Sequence, residues 1–321
     1  MNKVLYELWR GKILESAHRG RWAVVNGSKV IAKSGDVDEV TCMRSSAKPL
    51  QALAVIESGA ADALKLDDSE MSITCGSHYG EEHTVRAAAS ILGKAGLTRD
   101  DLQCGVHPPS STAVQRALAK AGLRPNPLHN NCSGKHAGML AAVKAMGAPV
   151  ANYLDPKHPL QQANLRNVAR YTGVKESKIA LAIDGCSAPT FGVPITAMAK
   201  AFALLGAGDA EPAAKRIVGA MTSHPEMVGH PCEELMRAAP GRIVGKVGAE
   251  GVYGACIVGH GVGIAVKIDD GNTRPLLAVV VAIVKKLKLL DRKDVAALEA
   301  LVKPEITNHA GRVVGRTQAI V

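Results

Sequence analysis

Aromatic residues are scarce in this 321-residue chain, with Phe, Trp and Tyr together making up 3%. Platforms for stacking unpaired bases are therefore few, and a nucleic-acid partner is disfavoured despite a formal charge of +10. Lys and Arg are dispersed. Their densest stretch, KKLKLLDRK at Lys285–Lys293, reads as the wet face and end of a helix, and the net charge remains compatible with attraction for small anionic substrates. Long apolar runs are missing as well. The longest, LLAVVVAIV at Leu276–Val284, is about half of the ~20 residues a membrane-spanning helix needs. The opening MNKVLYELWRGKILES has no uninterrupted apolar core of a secretory signal. These absences predict a soluble, cytoplasmic protein without a membrane partner. Cysteine is neither rare nor organised: seven residues, an odd count without framework spacing, imply reduced thiols.

What is present is an ordinary globular balance, with 47% hydrophobic residues, 32 Gly and 16 Pro. A prior of about 150 residues per domain suggests roughly two domains, but no linker separates them, and residues 1–321 are read as one domain. Asn26-Gly27 lies between two β-prone runs and predicts a hairpin. Helical patterns cover 50–60, with Gly59 as a stop, then 83–97, 111–123, 136–148, 160–173 and 195–208. Residues 241–272 are rich in Val, Ile and Gly and predict two or three antiparallel strands. Strands first, helices in the middle and strands again at the end predict an α+β fold, its antiparallel sheet completed by segments distant in sequence.

Three polar, Gly-bearing stretches sit where elements begin: ITCGSHYGEEHT (73–84), LHNNCSGKHAGML (128–140) and AIDGCSAPTFGVP (182–194). Such loops are where chemistry is usually placed. A fourth, RSSAKPL, opens a helix and contains S-x-x-K, Ser45 to Lys48. Residues three apart share a helical face, and Pro49 costs nothing in a first turn, where N–H groups have no intrahelical partner. A serine hydroxyl needs a base to become a nucleophile. An ordinary lysine, pKa ~10.4, is rarely neutral at pH 7, but burial and a nearby cation such as Arg44 can lower that value. Taken alone, the same pattern also fits a capping serine followed by a surface lysine.

Order sharpens the reading. After S-x-x-K come Ser77 in CGSHYG and Lys246-Val247-Gly248 near the late strands, a partial likeness to the serine-reactive penicillin-binding and β-lactamase group, although S-D-N and K-T-G are not literally present. The set RSSAKPLQAL, CGSHYGEEHT, NNCSGKHAGM, DGCSAPTF, SHPEMV and VGKVGAEGVYG, in that order, resembles the asparaginase II family of rhizobial, or class 3, L-asparaginases over nearly the whole chain. The resemblance implies a serine β-lactamase-like fold, a homodimer and hydrolysis of L-asparagine to L-aspartate and ammonia. It also implies two serine–lysine pairs, Ser45 with Lys48 and Ser77 with Lys246. Zinc near the substrate site is implied at Cys132, Lys135 and Cys186, a resemblance that points to the site more firmly than to the metal's role.

A lysine ligand is unusual for zinc; spacing alone would choose Cys132, His136 and Cys186. On sequence alone, two cysteines 54 positions apart are more often small buried hydrophobes than ligands. For the substrate, Arg44, Lys135 or His136 could meet the α-carboxylate and Asp184 the ammonium, unless Asp184 only shapes an Asp-Gly turn. His224 in SHPEM lines the pocket or caps a helix. His78 and His83 flank the second serine and can be packing residues. Gly76 and Gly248 could supply oxyanion donors. One methylene separates asparagine from glutamine, worth about 1–3 kcal/mol of discrimination, so glutaminase or another serine amidase stands as the alternative. A zinc-containing binding protein with a retired hydrolase site is a third reading.

Overall fold

A computed structural model of the chain describes residues 2–321. They form two compact units, one of residues 2–46, Val193–Asp209 and Glu234–Val321, the other of Ala47–Gly192 and Ala210–Glu233. No helix among the described residues is long and apolar enough to cross a membrane.

The first unit is built on an antiparallel sheet whose order across the main path is Glu305–Thr307, Val313–Ala319, Lys3–Arg10, Ile13–Asn26, Val262–Ile268, Val252–Ile257 and Ile243–Gly248. An eighth strand, Lys29–Ser34, pairs with the long second one. The expected hairpin lies there: Asn26 faces Lys29, and Gly27 takes the positive φ, 58°, that the tight turn requires. The three late strands span 243–268, and the first strand pairs with the last, Tyr6 opposite Ala319. The antiparallel α+β layout predicted from element order is therefore the one adopted.

The helix Ile195–Leu205 packs across the strands Ile13–Asn26, Val252–Ile257 and Val262–Ile268. Strand glycines make that approach possible. A Cβ on Gly263 would run into the Ala199 carbonyl, and one on Gly254 into the Phe202 ring. The Leu276–Lys286 helix buries Leu276, Val279, Val280, Ile283 and Val284, while Lys285 and Lys286 remain exposed at its end. The basic stretch is thus a wet helix end.

The second unit is helical. Two of its helices are buried nearly all round: Lys48–Glu57, with eight of ten residues buried, and Ser133–Ala145, buried from Ser133 to Val143. Around them lie Asp68–Thr74, Glu82–Lys94, Pro159–Thr172 and Pro212–Ser223. Local signals account for several ends. Asp67 and Glu70 form a capping box, Pro159 follows the His158 cap, and Gly173 closes its helix at φ 73°. A two-stranded ladder, Ala180–Ile183 against Pro189–Gly192, completes this unit.

The structure differs from the sequence reading in places. The helix expected from residue 136 begins at Ser133, because Gly134 and Gly138 are packing residues and not loop residues. A Cβ on Gly134 would be 2.5 Å from the Ile73 carbonyl, and one on Gly138 would be 2.7 Å from Thr74 Cγ2. The helices Asp68–Thr74, Pro212–Ser223, Cys232–Ala238 and Arg292–Leu301 and the strand Lys3–Arg10 were not anticipated.

Close packing at Gly263 predicts that Gly263→Ala destabilises the protein by about 1–3 kcal/mol through overpacking. Gly93, in a helix with nothing within 4 Å of a would-be Cβ, should instead gain up to ~1 kcal/mol as Ala. Urea unfolding of the two variants beside the parent checks both signs.

Candidate active site

Lys48 is the first residue of its helix and is 1% exposed. Its ammonium nitrogen donates to the Gly76 carbonyl, to Ser77 Oγ at 2.9 Å and to the Asn131 carbonyl at 3.3 Å. Three donors thus meet three oxygens, which is what a buried amine requires. One is the hydroxyl of the second serine motif, 29 residues away.

The loop carrying Ser77 follows the helix Asp68–Thr74 and is fixed mostly by backbone. Gly76 N–H donates to the Ile73 carbonyl and Ser77 N–H to the Val228 carbonyl, both at 2.9 Å. A Cβ on Gly76 would strike the Met227 carbonyl, and one on Gly229 would be 2.6 Å from the Ser77 carbonyl. SHPEMV at 223–228 therefore braces the serine loop. His224 ends the helix Pro212–Ser223, its Nδ1 is 3.0 Å from Glu226 Oε1, and its carbonyl accepts from Ser72 Oγ at 2.7 Å. His224 thus ends its helix through its backbone, and its side chain pairs with Glu226. One expectation is corrected: the Gly76 and Ser77 N–H groups are both spent on backbone carbonyls, so this turn has no donor left for an oxyanion.

His78 is buried between this loop and the next helix. Its Nδ1 accepts from Gly80 N–H at 3.1 Å, and its Nε2 is 2.8 Å from Ser133 Oγ, which donates to the Leu128 carbonyl at 2.9 Å. That pattern calls for the proton on Nε2. Burial first, then the nearby Lys48 charge, pushes its pKa down to about 3, so it is neutral at pH 7. His83 only flanks the motif.

The CSGKH motif opens the helix Ser133–Ala145, with Cys132 at its N-terminal boundary. Asn130 holds the approach, accepting from Cys132 N–H at 2.8 Å and donating to the carbonyls of Cys104 and Gly105. Lys135 Nζ lies 3.0 Å from Cys186 Sγ, which arrives on the Asp184–Ser187 turn after the strand Ala180–Ile183. A hydrogen bond from Cys186 holds the Cys132 thiol well below its usual range against the cost of burial, with Lys48 and Lys135 adding to the effect. Donating that bond, together with burial, pushes Cys186 the other way. Burial opposes the charge of Lys135, but Cys132 and Cys186, with Asp184 behind them, outweigh it and raise its pKa. The trio is a thiolate, a thiol and an ammonium whose charges balance.

Two sulfurs and an amine suit a soft, thiolate-loving ion such as zinc. No group of three or more His, Cys, Asp or Glu side chains placed to hold a metal exists among the described residues. A metal there would depend on Lys135 as its third donor, after loss of its proton. His136 is not the third member. Its Nδ1 is 2.7 Å from the Tyr153 hydroxyl, burial followed by the Lys135 and Lys48 charges holds its pKa well below the ordinary value, and its buried Nε2 has no protein partner. Asp184 keeps its turn role, accepting from Gly185 N–H at 2.7 Å, while adding negative charge towards Lys135.

The remaining predicted residues lie in the first unit. Arg44 and Ser45 stand on the 3-10 turn Arg44–Ala47, which Arg44 enters at an unusual φ of 49°. Lys246 is completely buried on the strand Ile243–Gly248 and donates to the Val247 carbonyl at 2.9 Å. That strand's end abuts the turn: a Cβ on Gly248 would be 2.7 Å from the Met43 carbonyl and 3.3 Å from Ser46 N. Ser46, the other hydroxyl of the motif, is buried and donates to the Met43 carbonyl at 2.6 Å.

The L-asparaginase II family profile matches residues 6–319. The chain belongs to the L-asparaginase II family. No curated protein matches it by sequence. Among solved structures, Mglu in its tris and glutamate form is 16% identical over 90% of this chain and 64% of its own, with a TM-score of 0.39. The octameric penicillin-binding protein homologue from Pyrococcus abyssi is 14% identical over 84% and 73%, with a TM-score of 0.46. A putative beta-lactamase from Bacteroides dorei is 13% identical over 83% and 93%, with a TM-score of 0.43. The chain spans 64% of the length of the Mglu structure.

The neutral His78 makes acid stability testable. A base whose folded pKa is about 3 and whose unfolded value is 6.5 leaves the unfolded state binding the extra proton at intermediate pH. Stability is therefore full above pH 6.5 and is lost as pH falls towards 3. The loss attributable to His78 is roughly 2 kcal/mol between pH 7 and pH 5. In His78→Asn, denaturant unfolding at the two pH values should show a smaller decrease than in the parent by about that amount.

Proposed function

We propose that this chain hydrolyses the side-chain amide of L-asparagine to L-aspartate and ammonia by serine–lysine chemistry, residues 1–321 acting as one asparaginase II-type domain. Membership of the L-asparaginase II family supports an amide-hydrolysing enzyme. The observation that carries the chemistry is the bond from Lys48 Nζ to Ser77 Oγ, 2.9 Å long and part-buried. It joins two of the motifs that the family pattern puts in one reaction. In this reading Ser45 Oγ attacks the amide carbon, and a tetrahedral oxyanion forms and collapses. The serine proton passes through the lysine and serine groups to the departing nitrogen, which leaves as ammonia. Water then attacks the resulting ester, and aspartate departs as the Ser45 O–C bond breaks. Burial leaves His78 and His136 too weakly basic for the task, so in this reading a lysine that has first given up a proton is the base. Lys135 is committed to Cys186, so Arg44 is the stronger candidate for the α-carboxylate, with Asp184 for the ammonium.

The same bond favours a second reading, in which Ser77 is the activated alcohol and Ser45 assists. Ser45→Ala should lower kcat by about 10⁴-fold or more if it is the nucleophile, with the circular-dichroism spectrum unchanged. Near-normal ammonia release by that variant, together with loss in Ser77→Ala, would move the nucleophile to Ser77. Assays on L-asparagine and L-glutamine side by side decide the substrate, since glutaminase remains the alternative.

We further propose that Cys132, Lys135 and Cys186 hold zinc, and that the subunits form a homodimer. The buried cluster of two sulfurs and an amine supports the metal, whose chemistry would be to fix charge beside the bound amino acid. Cys186→Ala should cut the zinc content of the purified protein, measured by plasma mass spectrometry, and raise KM more than it lowers kcat. Metal-free parent protein prepared without chelators would refute the ligand set.

A further inference from the structure

The strand Ala180–Ile183 in the second unit has all four residues exposed, with Leu181 46% and Ile183 63% accessible. It pairs on one side with Pro189–Gly192. No strand lies along its other edge among the described residues. Its parity follows from the ladder. Ile183 faces Pro189, which has no N–H to give, and Asp184 N–H donates to the Ala188 carbonyl at 2.9 Å. Even-numbered residues therefore turn their backbone groups inward, and Leu181 and Ile183 turn theirs to the open edge.

Open strand edges are normally blunted by shortness, bulges, charges or proline. The outer strand of the large sheet, Glu305–Thr307, does this with three residues, a glutamate and a register shift. ALAI is short too, at four residues, but it carries no bulge, charge or proline. We infer that this edge is the pairing surface for a second copy of the chain, joined antiparallel about a two-fold axis at Leu181. That register places Leu181 opposite Leu181, Ala180 opposite Ala182 and Ile179 opposite Ile183 of the second copy. At each end Lys178 lies across from Asp184, so opposite charges meet and no like charges do. The ladder gains two bonds at Leu181 and two from Ile183 N–H to the Ile179 carbonyl; Ile179 N–H is already given to Glu176.

Four residues cannot alone bury the roughly 1,200–2,000 Å² of a stable interface. An open groove of 990 Å³ reaches the N-terminal side of the strand at Lys175–Ser177 and is walled by Ala54, Met146 and Ala163. It provides the adjoining surface. The strand runs straight into the Asp184–Cys186 turn, so pairing would also hold the turn that presents Cys186. The inference deepens the homodimer of the proposed function; it shares Asp184 with the substrate-binding reading but rests on no step of the hydrolysis.

Sedimentation of the full chain at about 10 μM tests it. The parent should run at twice the 33.5 kDa chain mass. Leu181→Lys, which sets two ammonium groups face to face, should raise the dissociation constant at least tenfold. Val40→Lys, at another exposed apolar position, should stay dimeric. A monomeric parent overturns both the homodimer and the surface; a dimeric Leu181→Lys overturns the surface alone, as does a Val40→Lys that dissociates equally. Hydrogen exchange of the parent guards against a variant that fails to fold: amides 181 and 183 should exchange more slowly at 50 μM than at 0.5 μM. Fast exchange at both concentrations, as for an open edge or one awaiting another protein, refutes the pairing.

Discussion

A buried amine needs acceptors for all its protons, and the helical unit is arranged round that need at Lys48. Its three oxygens come from Gly76, Ser77 and Asn131, on two loops remote in sequence. Two are backbone carbonyls, whose positions depend on chain path and not on side-chain identity. The Ser77 loop and the turn before Cys132 must therefore both be in place before Lys48 can be buried without loss. The surrounding glycines follow from this constraint. Gly76, Gly134 and Gly229 each stand where a Cβ would collide with a neighbouring carbonyl, so the helices and loops close to the distance the amine can span.

The same charge orders its neighbours. Lys48 and Lys135 lie near Cys132 and favour its thiolate once Cys186 has donated a hydrogen bond; Lys48 opposes a proton on His78, and both lysines oppose one on His136, each already disfavoured by burial. Two histidines that would look like acid–base groups in a motif are thereby removed from that work near neutrality. His78 becomes a rigid connector between the serine loop and Ser133.

Much of the fold was legible because it follows from local pattern. The Asn-Gly hairpin, the late Val- and Gly-rich strands and the alanine-rich helices each obey a single period or turn rule. The Asp67–Glu70 capping box was equally readable as D-D-S-E, but the helix it opens is only seven residues long and shows no clear stripe. Gly134 hid the true start of its helix, since a glycine there looks like a loop until the Ile73 carbonyl is seen against it. At the site, the residue types were legible and their partners were not. S-x-x-K points Lys48 towards Ser45 along the chain, whereas its nitrogen lies on Ser77. SHPEMV reads as a histidine motif, yet it acts through the Met227 and Val228 carbonyls, which no side-chain pattern announces.

The division of the chain gives the S-x-x-K spacing its physical meaning. Ser45 and Ser46 belong to the sheet-bearing unit and Lys48 to the helical one, the change falling between Ser46 and Ala47. On the serine side, the 3-10 turn is held by Ser46, through its bond to the Met43 carbonyl, and by Gly248 at the end of the Lys246 strand. On the lysine side, Lys48 is fixed by its three acceptors. With each end anchored by its own surroundings, the three-residue covalent span is the shortest constraint that ties them, and one inserted residue would rotate a helical start by about 100°. The spacing therefore joins along the chain a serine and an amine that are each held by their own surroundings.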